Sequence, residues 1–448
     1  MLTRKLAGLS TATLAVLFSG CLDDGKRAVE TDATPKPAAT STKLPPMVET
    51  PGQLQGALAD KLTQVSLPVP KSGEAQTFKF GKGEYEREAW VAKLPENGQL
   101  VSVAYANGKI FVGGGFDSSA MYALDAKTGK RQWVSYNLAD PGPTAAVVDN
   151  DELAFDTFSC SLAVLTASTG KVLWQKWIGS ETPTQPAFTK DFVLAPHPND
   201  DGGFALSAYK RKTGADAWHA SIDGHGMTAP IVAGDYVYVT TTNGTLYKFD
   251  LKGKRQWSQR INALSAPWID GDEIHVAVHE KSVESQIVLS AADGKRLRTV
   301  TSAKWPGDAP GDDTHAIWSY EGSRPVVKDG IRFTAMGDRV EARDARTNEL
   351  HWERDHTVGT GARKVTSVIA AGPLALITSR DGHIVALDAK TGMKRFGYDF
   401  DATITAQPVI AEGWMYVATS RGQVFAFDLG NKAIDGWHMW GGNAQHNL

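Results

Sequence analysis

Residues able to do chemistry are concentrated in one stretch of this chain, TSAKWPGDAPGDDTHAIWSYEG (301–322). Asp308, Asp312, Asp313 and His315 are cation ligands by type, and Trp305, Trp318 and Tyr320 are side chains that anchor a protein or a sugar by burying a large flat surface. The acids do not follow the spacing of an EF-hand loop, so for them the plain reading is a solvated loop. Trp305, Asp312, Asp313, His315, Trp318 and Tyr320 are therefore taken as a candidate partner-binding set, with no metal or cofactor assigned to it.

Other reactive residues lack a constellation. His275 and His279 fall in the alternating segment EIHVAVHE, which puts both on one strand face about 13 Å apart, too far to share a metal. His197 lies in the polar loop PHPNDDGG, while His438 and His446 are expected to be surface contacts. The two cysteines are Cys21 and Cys160; the second, in TFSCSLAVL, reads as a small buried strand residue. Nucleophile-elbow, phosphate-loop, zinc-protease and haem-attachment motifs are absent from the sequence.

What must position these residues is a repeat. ALDAKTGKRQW (123–133), VLTASTGKVLW (164–174), AYKRKTGADAW (208–218) and ALDAKTGMKRF (386–396) are its plainest copies, and degenerate ones start at Lys248, Val288, Ala342 and Ala426. The turn residue recurs at Gly129, Gly170, Gly214, Gly253, Gly294, Asn348, Gly392 and Gly430, with steps of 41, 44, 39, 41, 54, 44 and 38. A period near 40 with strand-like flanks is one propeller blade per repeat. The step of 54 contains the 301–322 insertion. Glycine, or Asn348 in its place, supplies the positive φ of a tight reversal, and an Asp at the turn head (Asp125, Asp250, Asp344, Asp388, Asp428) accepts from its free N–H groups.

Upstream of each turn two more strands are legible, one led by a Pro or small residues (QPAF, APIV, APWI, RPVV, QPVI) and one alternating after a Gly or Asp turn. An outer strand opened by Trp133, Trp174, Trp218, Trp257, Arg298, Trp352 or Phe396 makes four. The eighth is expected from the other end of the chain, where AWVAKL (89–94) places Trp90 in phase, 43 residues before Trp133. The expected fold is all-β: an eight-bladed propeller of four-stranded antiparallel blades over residues 76–435, closed by this N-terminal strand. The competing reading opens the eighth outer strand at Trp437.

Composition sets the class: 42% hydrophobic residues in 448 suffice for an extensive core, and a net charge of -3 argues against a nucleic-acid partner. Arg4 and Lys5 precede 13 apolar residues (6–18), too few to span a bilayer, and Phe18-Ser19-Gly20-Cys21 ends the run. Small residues before a cysteine resemble a bacterial lipobox, which implies a lipoprotein signal peptide over residues 1–20 with Cys21 the lipidation site; the alternative is an ordinary secretory peptide with a chance cysteine. Leu22 behind it implies the outer membrane, facing periplasm or cell surface. Residues 21–75 read as a flexible Pro/Ala/Thr-rich tether, in which 52–65 has a helical spacing of Leu54, Leu58 and Leu62, and 436–448 as a C-terminal tail.

The pattern (Ala/Val)-x-Asp-x-x-Thr-Gly-Lys-x-x-Trp resembles the PQQ-like propeller repeat, over roughly residues 86–430. With a lipobox added, the chain is similar to the lipoprotein scaffolds of outer-membrane β-barrel assembly. That resemblance implies a non-enzymatic protein whose partners are envelope proteins, contacted through loops on one face of the ring. The tail GWHMWGGNAQHNL departs from it and is similar to a Trp-x-Met-x-x-x-Asn-x-x-His segment found beside such repeats in other surface proteins, which keeps a carbohydrate- or peptide-binding propeller as the alternative. Quinoprotein dehydrogenases share the propeller, and resemblance to them implies a vicinal cysteine pair against the quinone and an acidic cluster with Asn around calcium. Cys21 and Cys160 cannot make such a pair, so the expectation is no enzyme and no cofactor.

Overall fold

The structure is a computed structural model that describes residues 44, 58, 61–159, 161–179, 184–199, 201–281, 283–304, 324–336, 339–355, 368–404 and 406–448. Its alternating apolar segments form eight antiparallel sheets arranged in chain order. Blade 1 spans 104–135, blade 2 147–177, blade 3 187–222, blade 4 231–260, blade 5 268–304, blade 6 326–355, blade 7 369–400 and blade 8 409–428. The first strand of each blade lines the axis and the last lies outside, as the repeat requires.

Closure follows the N-terminal reading. Strands β1 (Thr63–Val65), β2 (Ala75–Phe80) and β3 (Arg87–Lys93) precede blade 1. β3 pairs antiparallel with Gln423–Asp428, setting Trp90 opposite Ala426, and so supplies the fourth strand of blade 8. Trp437 opens no strand; it is wholly buried and bridges the innermost strand of blade 8 at Ile410. One strand, β1, falls inside the segment expected to be tether, and β2 begins at its last residue. β2 adds a fifth strand outside β3, and β1 adds one in parallel to Lys394–Phe400 of blade 7. Leu58 is buried and donates its N–H to the Asp355 carbonyl, so apolar burial fastens the chain to the ring well before residue 75.

Blade is joined to blade by one recurring contact. The Trp that opens an outer strand donates its indole N–H to a turn carbonyl of the next blade: Trp90 to Ala126 (3.0 Å), Trp133 to Ala167 (3.1 Å), Trp174 to Arg211 (2.6 Å), Trp218 to Leu251 (2.9 Å), Trp257 to Ala291 (3.3 Å) and Trp352 to Ala389 (2.9 Å). The ring then lies flat on the turn glycine. A Cβ at Gly170 would come within 2.5 Å of the Trp133 ring, so the glycine is required by close approach as well as by its φ of 72°. The heads of the turns are capped as expected, with Asp125 Oδ1 accepting from the backbone N–H groups of Lys127 (3.1 Å) and Thr128 (2.9 Å).

Two joints lack the indole, those opened by Phe396 in blade 7 and by Arg298 in blade 5, and the second explains the one turn without glycine. Blade 5 opens its outer strand with Arg298, whose guanidinium donates to Ala345 at 2.9 Å, the carbonyl that an indole would otherwise reach. With no indole above it, the turn position of blade 6 has room for a side chain. Asn348 occupies it at a φ of 66° and donates to Val300 of blade 5. Gly170→Ala is accordingly expected to lower stability by about 2–4 kcal/mol, combining positive-φ strain with overpacking. Gly170→Asn should cost at least as much, because the Trp133 ring leaves no room there for the side chain that position 348 accommodates; unchanged stability of Gly170→Asn in denaturant unfolding would refute the account of the joint.

Candidate functional site

Chain direction gives the ring two unlike faces. The Thr-Gly turns and the links between first and second strands lie on one, here the turn face; the links between second and third strands and from blade to blade lie on the other, the connection face. The innermost strand of a blade is an edge, with N–H groups directed at the axis that need acceptors.

The C-terminal segment provides them. Tyr105 N–H donates to the His438 carbonyl (2.6 Å), Phe188 to Ala444 (2.9 Å), Val232 to Gln445 (2.9 Å) and Ile410 to Trp437 (2.7 Å), while Ile269 donates to Asn447 Oδ1 (2.8 Å). The residues before the inner-strand prolines grip it as well. Arg324 donates to the His446 carbonyl at 2.6 Å with its guanidinium between the rings of Trp268 and Trp440, and Gln407 Oε1 accepts from the indole of Trp437 at 2.9 Å. Trp268 and Trp437 stack at 6.0 Å. Residues 437–447 thus bond six of the eight blades and fill the axis at the turn face.

His446, expected at the surface, is fully buried, with Nδ1 2.8 Å from the Trp440 carbonyl and Nε2 2.9 Å from that of Pro186. Burial drives its pKa down to about 4, against the pull of the two carbonyls and with Arg324 adding to the fall. His438 is half-exposed, 2.8 Å from Asp435 and packed against Tyr105. An open groove of about 600 Å³ between blades 4 and 5 borders the plug at Gln445 and Asn447, and a second of about 760 Å³ lies on the turn face between blades 2 and 3. In the second, the charge of Arg211 is already matched by Asp149 and Glu152.

The connection face carries what sequence reading missed. Phe116, Tyr136 and Trp177 are 50%, 58% and 57% exposed at the connection-face ends of blades 1 and 2. Phe116 rests on Phe158 (5.3 Å) and Tyr136 meets Tyr122 edge-on (6.5 Å). A signal was present: only in these two blades is the joint Trp followed three residues later by another aromatic, Trp133 by Tyr136 and Trp174 by Trp177. Toward the same face Asp156 is wholly buried, and burial pushes its pKa well above the ordinary aspartate value against the opposing hydrogen bond from Thr184.

The sequence-derived set of Trp305, Asp312, Asp313, His315, Trp318 and Tyr320 lies outside the described residues, as do Cys21 and Cys160. His275 and His279 share strand Glu273–Glu280, and among the described residues no group of His, Cys, Asp and Glu is placed to hold a metal.

The family described as outer membrane protein assembly factor BamB matches residues 82–199, 161–317, 202–354 and 336–441. The chain belongs to the BamB family. Among curated relatives, BamB of Burkholderia pseudomallei is 28% identical over 181 residues, covering 39% of this chain and 43% of the relative. Quinoprotein ethanol dehydrogenase of Pseudomonas putida is 27% identical over 250 residues, covering 50% of this chain and 38% of the enzyme. The chain thus spans less than half the length of these relatives. BamB from Moraxella catarrhalis shares the fold, with a TM-score of 0.58 at 16% identity over 75% of this chain and 96% of that one.

These matches correct the expectation that the protein is no enzyme. A dehydrogenase is as similar in sequence as the assembly factor, over a longer stretch, and membership of the BamB family's repeat fold does not separate the two roles. A quinone, however, does not fit the residues at the turn-face end of the axis, because Trp437, Trp440 and His446 already fill that space.

The buried imidazole makes the plug sensitive to acid. A ring whose pKa falls on folding binds fewer protons native than unfolded between pH 6.5 and about 4, so stability drops as pH falls through that window, by about 1.4 kcal/mol per pH unit at most. His446→Gln should flatten this slope in pH-dependent unfolding; an unchanged slope would place the titration elsewhere.

Proposed function

We propose that this protein is a lipid-anchored envelope scaffold that presents its connection face to other proteins, with a BamB-like part in outer-membrane β-barrel assembly. The observation that carries the reading is the asymmetry of the ring. At the axis the turn face is filled by the chain's own tail, while the connection face exposes Phe116, Tyr136 and Trp177, aromatic side chains of the kind that act as interface anchors. The strand before the insertion ends at Lys304 and the next begins at Val326, both at connection-face ends, which supports reading Trp305, Asp312, Asp313, His315, Trp318 and Tyr320 as further partner contacts. Lipid on Cys21 holds the propeller at the outer membrane. More than one acyl chain makes that attachment stable.

Crosslinking in intact cells followed by affinity capture tests this. Recovery of the barrel-assembly pore is expected, and Tyr136→Ser with Trp177→Ser should reduce it roughly thirtyfold, an aromatic hot spot contributing about 2 kcal/mol, without lowering Tm. Cys21→Ser should abolish incorporation of labelled fatty acid. Undiminished capture by the double variant, or normal barrel-protein levels in cells lacking the protein, would contradict the proposal.

A further inference from the structure

The apolar clusters of the core span blades 8 to 1, 1 to 3, 3 to 4, 4 to 5 and 6 to 8. Among the described residues none fills the joint between blades 5 and 6; Trp268, stacked on Trp437, is the one blade 5 residue within the cluster of blades 6 to 8. In its place are charges. His275 and Arg298 lie in one row across blade 5, and Arg332 and Arg343 sit opposite one another in blade 6. Arg298 reaching Ala345 shows that the first row faces blade 6, and Arg332 reaching Asn348, which itself reaches Val300, shows that the second faces blade 5.

We propose that this joint is a binding site for a small monovalent inorganic anion of halide size, held by Arg332 and His275 with Arg298 and Arg343 beside them. The argument is one of charge and of acceptors. Within the joint three guanidinium groups face two buried carboxylates, Glu273, held by Arg298 through two contacts of 2.7 Å, and Glu341, 3.0 Å from Arg343; at the rim the exposed Arg346 pairs with Asp270 and Asp272 and comes within 3.6 Å of Glu273. Arg332 and His275 are each 1% exposed. Arg332 donates from one terminal nitrogen to Asn348 Oδ1 at 2.6 Å, while its Nε and other terminal nitrogen have no acceptor. Nε of Arg298 and Nε of Arg343 are likewise without partners, as are both nitrogens of the neutral His275 ring, which has one N–H to donate and whose Nε2 lies 3.7 Å from Glu273. Buried donors of this kind seek an acceptor, and an anion that carries no donor of its own meets several at once while balancing the third guanidinium. Burial and the surrounding arginines act in the same direction on His275, lowering its pKa to about 3; burial lowers that of Arg332 to about 10. So enclosed a place suits a bare ion, with no substituent to lead out. Because Arg298 lies on Arg296–Lys304, the strand that runs to the insertion, occupancy of the joint bears on how that strand is held.

The test compares the full chain in sodium chloride and in sodium gluconate at matched ionic strength, with bromide-soaked crystals examined by anomalous scattering. Chloride should raise Tm saturably by about 3 °C over gluconate, Arg332→Met should remove the difference, and a bromide peak should lie within hydrogen-bonding distance of Arg332. Equal Tm in the two salts, a chloride effect that persists in Arg332→Met, or bromide found elsewhere and not at this joint would overturn the proposal. If Arg332→Met does not fold, the native titration and the bromide position decide it.

Discussion

The innermost strand of each blade is an edge whose N–H groups face the axis, and the structure depends on how those groups are paired. A closed ring of sheets removes the outer seam, through β3 completing blade 8, but it cannot remove the inner edges, because there is no sheet inside them. Residues 437–447 resolve this with backbone carbonyls and the Asn447 amide, reaching strands that are more than 300 residues apart in sequence. The contacts are buried, so each counts for more than a surface hydrogen bond, and an unpaired donor there would cost about 1–3 kcal/mol. From this one constraint comes the difference between the faces: the axis is occupied at the turn face, and exposed aromatic side chains are left at the connection face.

The joints between blades work with the plug. An indole that bonds the next turn's carbonyl and lies on its glycine fixes the angle between two sheets with a single residue, and the same pair recurs around the ring. Where Arg298 replaces the indole the mechanical connection to Ala345 survives, but the apolar filling does not. Among the described residues, the joint between blades 5 and 6 is therefore the one that no apolar cluster fills.

The ring was legible because its signals are local and periodic. Turn glycine, capping Asp and joint Trp fall within eleven residues of one another, and Trp90 stood in phase with them far from the last blade. Asn348 could be read as a positive-φ residue, yet the reason glycine was dispensable there lay 50 residues away in Arg298. The tail was not legible as part of the fold. Its tryptophans and histidines look like surface chemistry in sequence, and only the assembled ring shows the carbonyls and edge amides that bury His446 and Trp437. β1 was not legible as a strand for a similar reason, since it is one only by virtue of pairing with blade 7. Of the functional candidates, the insertion was found by its break in the period, whereas Tyr136 and Trp177 were passed over because aromatics in an outer strand look like further joint residues.

The chain is similar both to an outer membrane protein assembly factor and to a quinoprotein dehydrogenase, and its own residues 437–447 fill the axis at the turn face. Native-state hydrogen exchange of the amides of Tyr105, Phe188, Val232 and Ile410 in the full chain tests that claim most directly. Docked as described, these inner-edge amides exchange as slowly as those between strands within a blade, and Trp437→Ala speeds all four together. Rapid exchange at these positions in the unaltered chain, with slow exchange elsewhere in the blades, would mean that the axis is open to water and the plug is not part of the folded ring.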